Sequence, residues 1–182
     1  MSLRIDQKYF NRFAIIVGVI AITLLAASSI YLHISSKDKF YKRAKREQGQ
    51  INQSYLKDVF SNDSLRVADY QHKYVVLVFW ATYASPSKPL FKELDNYRKK
   101  YPDKITIIAA SVRDSRPTIK KYLAKNVHYS FHYVFGNDLF YHLEIPGLPT
   151  FIVFNPDGKL LYSHAGYRNS SALKKLKAVL EQ

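Results

Sequence analysis

The chain has 182 residues, 47% of them hydrophobic and 15% aromatic, which is room for one ordinary domain plus an appendage and enough apolar mass for a packed core. It contains no cysteine, and that excludes disulfides, thiolate nucleophiles, cysteine-ligated metals and thioether-attached haem together. The net charge is +14, with nine Lys/Arg against three acids in residues 1–50 and nineteen against eleven in residues 51–182, a balance suited to anionic partners or simply to a solvated basic surface.

In chain order, a flank over residues 1–12 carries Arg4, Lys8 and Arg12. Residues 13–32, FAIIVGVIAITLLAASSIYL, hold no charge. At the α-helical rise such a run spans about 30 Å, the hydrocarbon thickness of a bilayer. A transmembrane anchor is expected over 13–34. Ala26, Ala27 and Ser28 also fit a signal-peptide cleavage site, but the apolar run continues beyond them and favours an uncleaved anchor. Residues 35–55 follow as a basic juxtamembrane connector suited to anionic headgroups, so membrane lipid is the first expected partner. Lys37, Lys39, Lys42, Arg43, Lys45 and Arg46 outnumber the three positive residues in front of the span, and by the positive-inside rule they point the C-terminal domain at the cytoplasm.

A domain over 56–182 is expected, and from Tyr74 it alternates strand and helix patterns. YVVLVFWA (74–81) is a continuous apolar run of the kind buried on both faces of a sheet. A helix follows, with Ser87 at its cap, Leu90, Leu94 and Tyr97 at helical spacing, and Pro102 as a stop. KITIIAAS (104–111) predicts a second buried strand. SRPTIKKYLAKN (115–126) predicts a helix with an early proline, FHYVF (131–135) a short strand, and NDLFYHLEI (137–145) a short helix. TFIVF (150–154) and KLLYSH (159–164) form a hairpin through Asn155-Pro156-Asp157-Gly158. The last segment predicts one amphipathic helix capped by Asn169 or Ser170. Two βαβ crossovers and a terminal antiparallel hairpin make an α/β fold, with a mixed central sheet and helices on both faces.

The stretch Phe79-Trp80-Ala81-Thr82-Tyr83-Ala84-Ser85-Pro86-Ser87-Lys88-Pro89 resembles the FWATWCxPC segment of thioredoxin-like proteins. Gly147-Leu148-Pro149-Thr150 is similar to the G-x-P-T loop that carries the family's cis-proline, and the following hairpin matches as well. The likeness covers about residues 65–182, and its nearest branch is the membrane-anchored TlpA/ResA-like group, thiol-disulfide reductases of cytochrome c maturation. The resemblance implies a thioredoxin-like fold and, against the charge count, an extracytoplasmic domain.

The family's chemistry does not carry over. Its two cysteine positions are Ala84 and Ser87 here. Alanine has no attacking atom, and a helix terminus alone does not ionise a serine hydroxyl near neutral pH. Val78 stands where thioredoxins bury an Asp, Leu90 where the branch has a Glu, and Tyr83 where a second Trp is usual. No catalytic residue and no cofactor are therefore expected. What the resemblance leaves is a groove for a protein or peptide partner, with Trp80, Tyr83, Ser85, Pro86, Leu148 and Pro149 as its expected lining. The leading functional reading is a redox-inactive binding or scaffold module serving an envelope partner, in thiol handling or cofactor maturation. The alternatives are a non-catalytic subunit that positions another protein's cysteines, and a structural element attached to lipid.

Other signals argue for less. His128 and His132 on one strand would stand about 13 Å apart, too far to chelate one ion, so no metal is expected. Ser87 has neither a GxSxG elbow nor an evident base, so a hydrolase triad is not supported. The runs Arg98-Lys99-Lys100 and Lys174-Lys175-Lys177 read as solvated helix faces rather than a nucleic-acid surface.

Overall fold

The structure is a computed structural model that describes residues 7–182, so Arg4 and the start of the basic flank lie outside the described residues. The chain divides into two compact units, one ending at Lys39 and one running Phe40–Gln182. Helix α1 (Gln7–Arg46) contains the apolar run. Phe13, Ile16, Ile20, Leu24 and Leu25 are all exposed on it, and the helix is long and apolar enough to cross a membrane. Thr23 donates its hydroxyl to the carbonyls of Val19 and Ile20, each at 2.8 Å, which satisfies a polar group inside the apolar stretch as a bilayer requires.

The second unit begins earlier than the expected boundary at residue 56. Phe40 and Ala44, in the last turns of α1, are buried in its core, as is Ile51 of α2 (Gln48–Gln53). A stretch read as a headgroup-facing connector thus supplies core side chains, because its few apolar residues fall at helical spacing on one face. Strands β1 (Leu56–Lys57) and β2 (Ser64–Leu65) pair as a small antiparallel ribbon, and a 3₁₀ turn (Val67–Tyr70) leads into the main sheet.

The remaining order is β3 (Tyr74–Trp80), α3 (Ser87–Lys100), β4 (Ile105–Ser111), α4 (Arg116–Lys125), β5 (His132–Phe135), α5 (Asn137–His142), β6 (Thr150–Phe154), β7 (Leu160–Ala165) and α6 (Lys174–Leu180). The five-stranded sheet runs β5-β4-β3-β6-β7. β3 is central, parallel to β4 and antiparallel to β6. Its alternate residues face opposite cores. Val76, Val78 and Trp80 join Leu90, Phe91 and Leu94 of α3 and Leu176 and Leu180 of α6, while Val75, Leu77 and Phe79 join Phe40, Ile51, Leu139 and Phe140. With both faces covered, β3 needs no polar alternation, which is why its sequence is apolar throughout.

The hairpin turn is built as its sequence implies. Gly158 sits at φ +75°, its N–H donates to the Asn155 carbonyl at 2.9 Å, and Asn155 Oδ1 accepts from the Lys159 amide at 2.8 Å. The expected single C-terminal helix is instead a 3₁₀ turn (Ser170–Leu173) followed by α6, with Asn169 Oδ1 accepting from the Ser171 amide at 3.1 Å. Buried Asp95 on α3 pairs with Arg98 at 3.1 Å and Lys99 at 2.7 Å, so part of the 98–100 basic run is neutralised on its own helix.

His132 lies on β5 and His128 before it, so the two do not share a strand. His128 stacks on Phe60 with centroids 5.4 Å apart, and His132 Nδ1 lies 3.3 Å from the Tyr70 hydroxyl. Burial lowers the His132 pKa from 6.5, against a smaller opposing pull from Asp58. The unfolded chain then takes up this proton more readily, so the histidine's contribution to stability is complete above about pH 6.5 and is lost as pH falls through the lower folded value. The drop in urea midpoint between pH 7.5 and pH 5 should therefore be smaller in His132→Gln than in the parent; an equal drop would assign the acid sensitivity to other groups.

Candidate functional site

The carboxyl ends of β3 and β4 open side by side, and the loops leaving them build the site. After β3 the segment 81–86 turns into α3: the Ala84 amide donates to the Ala81 carbonyl at 3.0 Å and the Ser87 amide to the Ala84 carbonyl at 2.9 Å. Asp114, just past β4, fastens this loop. Its carboxylate accepts from the Thr82 amide at 2.7 Å, the Thr82 hydroxyl at 2.8 Å and the Ser111 hydroxyl at 3.1 Å. Charge-assisted bonds of this kind are roughly twice as strong as neutral ones, so the loop is held as a fixed platform rather than a loose connection.

Ser87 is not the cap its position suggested. Pro86 occupies the cap position of α3 with no side-chain cap bond, while Ser87 is the first helical residue, 1% exposed, with its hydroxyl unpartnered among the described residues. Ala84 is half-buried and faces the site. Val78 and Leu90 beneath are fully buried and apolar, so neither position supplies a proton-carrying group.

Beside this platform lies a cleft of about 650 Å³. Tyr83 and Ala84 form one side, Arg113 and the rings of Phe140 and Tyr141 another, and the segment 144–148 closes it. The Leu148–Pro149 peptide is cis. The Pro149 carbonyl accepts from the Gly166 amide at 2.7 Å and the Gly147 carbonyl from the Thr150 hydroxyl at 2.7 Å, whereas no backbone group among the described residues engages the amide or carbonyl of Leu148. An unpaired amide and carbonyl at one residue are what an extended peptide needs to pair with.

Of the expected groove residues, Tyr83 and Leu148 line the cleft, and Ser85 and Pro86 are exposed beside Ala84 on the platform. Trp80 and Pro149 are buried and do not line it. Trp80 is 0% exposed, its ring centroid 5.1 Å from Phe91, 5.5 Å from Tyr122 and 6.1 Å from Tyr133. It faces α3 inside the sheet's core because it is the third residue of the set Val76, Val78, Trp80.

Arg113, Phe140 and Tyr141 were not foreseen. The available signal was position: Arg113 is the second residue past the carboxyl end of β4, where α/β sheets place their binding crevices. Arg113 adopts φ +63°, and its amide donates to Asn137 Oδ1 at 2.8 Å. Its Nε–H donates to the Tyr141 hydroxyl at 3.1 Å, and the guanidinium carbon lies 5.6 Å from the ring centroids of both Phe140 and Tyr141. The hydroxyls of Tyr141 and, to a smaller degree, Tyr83 hold the guanidinium pKa above its ordinary value. On the far side of the cleft Glu144, at φ +49°, pairs with Arg43 at 2.6 Å, while His142 lies 2.8 Å from Glu47, which also binds Arg46 at 2.6 Å.

No metal-holding group of three His, Asp or Glu side chains occurs among the described residues. The site can offer main-chain hydrogen bonds, aromatic faces and one guanidinium. Neither of the two positions that would carry a thiol in the resembled proteins, Ala84 and Ser87, holds sulfur.

A thioredoxin-like family model matches residues 71–160. Solved structures agree over about 70% of the chain. A thiol:disulfide interchange protein of the thioredoxin family from Chlorobium tepidum is 16% identical at a TM-score of 0.58, over 70% of this chain and 92% of its own. The thioredoxin domain of a thiol-disulfide oxidoreductase from Bacteroides vulgatus is 20% identical at 0.60, over 70% and 92%. The exposed lipoprotein thioredoxin of Streptococcus pneumoniae is 22% identical at 0.56, over 69% and 98%. No curated protein matches the chain.

Proposed function

From the premise that this is a thioredoxin-like domain in a chain without cysteine, we propose that it is a redox-inactive binding module. In this reading α1 anchors the chain in a membrane, the domain lies on the extracytoplasmic side, and the cleft holds an extended segment of an envelope protein engaged in thiol handling or cofactor maturation. One observation carries the reading. The two positions that would hold sulfur are a half-buried alanine and a buried serine, yet the cleft beside them stays open, aromatic-lined and supplied with a main-chain amide and carbonyl at Leu148 that no backbone group among the described residues engages. Tyr83, 63% exposed on the platform that Asp114 fixes, joins Phe140, Tyr141 and Leu148 in giving the cleft its aromatic and apolar lining.

The test is photo-crosslinking in living cells, with the reactive group at Ser85 and a control at Lys175 on α6. A discrete partner captured from Ser85 alone is expected. Equal background at both sites would reduce the cleft to a remnant of the fold, and a cytoplasmic partner would reverse the assigned side of the membrane.

A further inference from the structure

We infer that the cleft selects an acidic segment of its partner, with an Asp or Glu carboxylate seated on the Arg113 guanidinium. This rests on the reading of the cleft as a peptide-binding groove, and it adds the chemical class of the occupant.

Arg113 is presented rather than stored. The Asn137 side chain holds its amide, its φ of +63° turns the chain out at the end of β4, and the side chain is exposed against Phe140 and Tyr141. A non-glycine residue in that left-handed region is uncommon and carries a backbone cost, so its placement is set by its surroundings. Among the described residues the guanidinium's side-chain partners are two hydroxyls, that of Tyr141 at 3.1 Å from Nε and that of Tyr83, and no carboxylate among the described residues forms an ion pair with Arg113. The remaining donors form the planar fork that matches a carboxylate.

The acid that lines the same cleft, Glu144, is paired with Arg43 at 2.6 Å. The unit Phe40–Gln182 carries twenty-three Lys/Arg against twelve Asp/Glu, a net +11, so the wider field attracts the same class of partner. An extended strand paired at Leu148 would turn every second side chain into the cleft, one onto the shelf of Tyr83 and Leu148 and the next on that face towards Arg113.

The test uses the full chain in detergent micelles and two fluorescent decapeptides, identical except for a central Glu or Gln and with leucine two residues to either side, with binding followed by anisotropy. The Glu peptide should bind about 5- to 10-fold more tightly, the size of one partly exposed charge-assisted contact. Arg113→Gln should erase that preference, so that the variant binds the two peptides alike, and Arg113→Lys, which keeps the charge but loses the fork, should retain only part of it. Because wild-type discrimination is itself a readout, a misfolded variant would not remove the test. Equal binding of the two peptides, both crosslinking to a probe at Ser85, would overturn acid selection while leaving the groove reading intact. Binding of neither overturns the inference, and the groove reading then stands or falls on the capture in cells. Displacement of the Glu peptide by single-stranded DNA as readily as by unlabelled peptide would show a generic polyanion surface and also overturn it.

Discussion

The double variant A84C/S87C is expected to close an intramolecular disulfide, with both thiols protected from alkylation after mild oxidation and released by reductant. The Ser87 amide bonds the Ala84 carbonyl at 2.9 Å, a turn whose ends lie within about 7 Å, close to the span a disulfide bridges. The two sites also differ in access, since residue 84 is half-buried and residue 87 is 1% exposed, leaving the first thiol to meet a partner and the second to resolve it. The N-terminus of a fourteen-residue helix would favour the thiolate form. Turnover is another matter. Val78 and Leu90 leave the pair without a proton carrier, and loss of general acid–base help typically costs a factor of about 10² to 10⁴. We therefore expect disulfide formation with insulin-reduction rates at least about 10²-fold below those of a redox-active thioredoxin. The parent chain should give none. Two freely alkylated thiols would mean that the loop, and not only its chemistry, departs from thioredoxin-like geometry.

The second large effect is on stability. Trp80→Ala removes a fully buried ring packed on Phe91, Tyr122 and Tyr133, and should cost about 3–5 kcal/mol in denaturant unfolding, with Tm lowered by roughly 10 °C or more. Trp80→Phe keeps most of the aromatic contact and deletes an indole N–H that has no partner among the described residues, so its cost should be about 1–2 kcal/mol. Because Trp80 does not reach the cleft, Trp80→Phe should also leave partner capture from Ser85 unchanged. Reduced capture at unaltered stability would give the ring a role at the surface that its burial denies.

Trp80 also marks the limit of what the chain could disclose before it folded. Its strand is apolar on every residue because both faces of β3 are covered, so no alternation told which side chains point at α3 and which at the opposite core. Pro149 misled in the same way: its neighbour Leu148 lines the cleft while it is buried itself. Phe40 and Ala44 lie in a stretch dominated by charge, and their place in the core becomes visible only when the sheet is there to receive them. Arg113 carries no motif. It becomes a cleft residue because β4 ends beside β3 and because Asn137, twenty-four residues later, holds its amide.

What the sequence determined by itself was whatever is written locally or by composition. The absence of cysteine removed thiol chemistry whatever the fold, the uncharged run before residue 33 specified a helix apolar enough for a bilayer, and strand periods with the Asn155–Gly158 turn specified the α/β order. Only the tertiary structure decided which residues border the cleft, because that depends on strand order and on the face each side chain takes in a sheet covered on both sides. Contacts between residues distant in sequence are products of packing, and no local pattern encodes them.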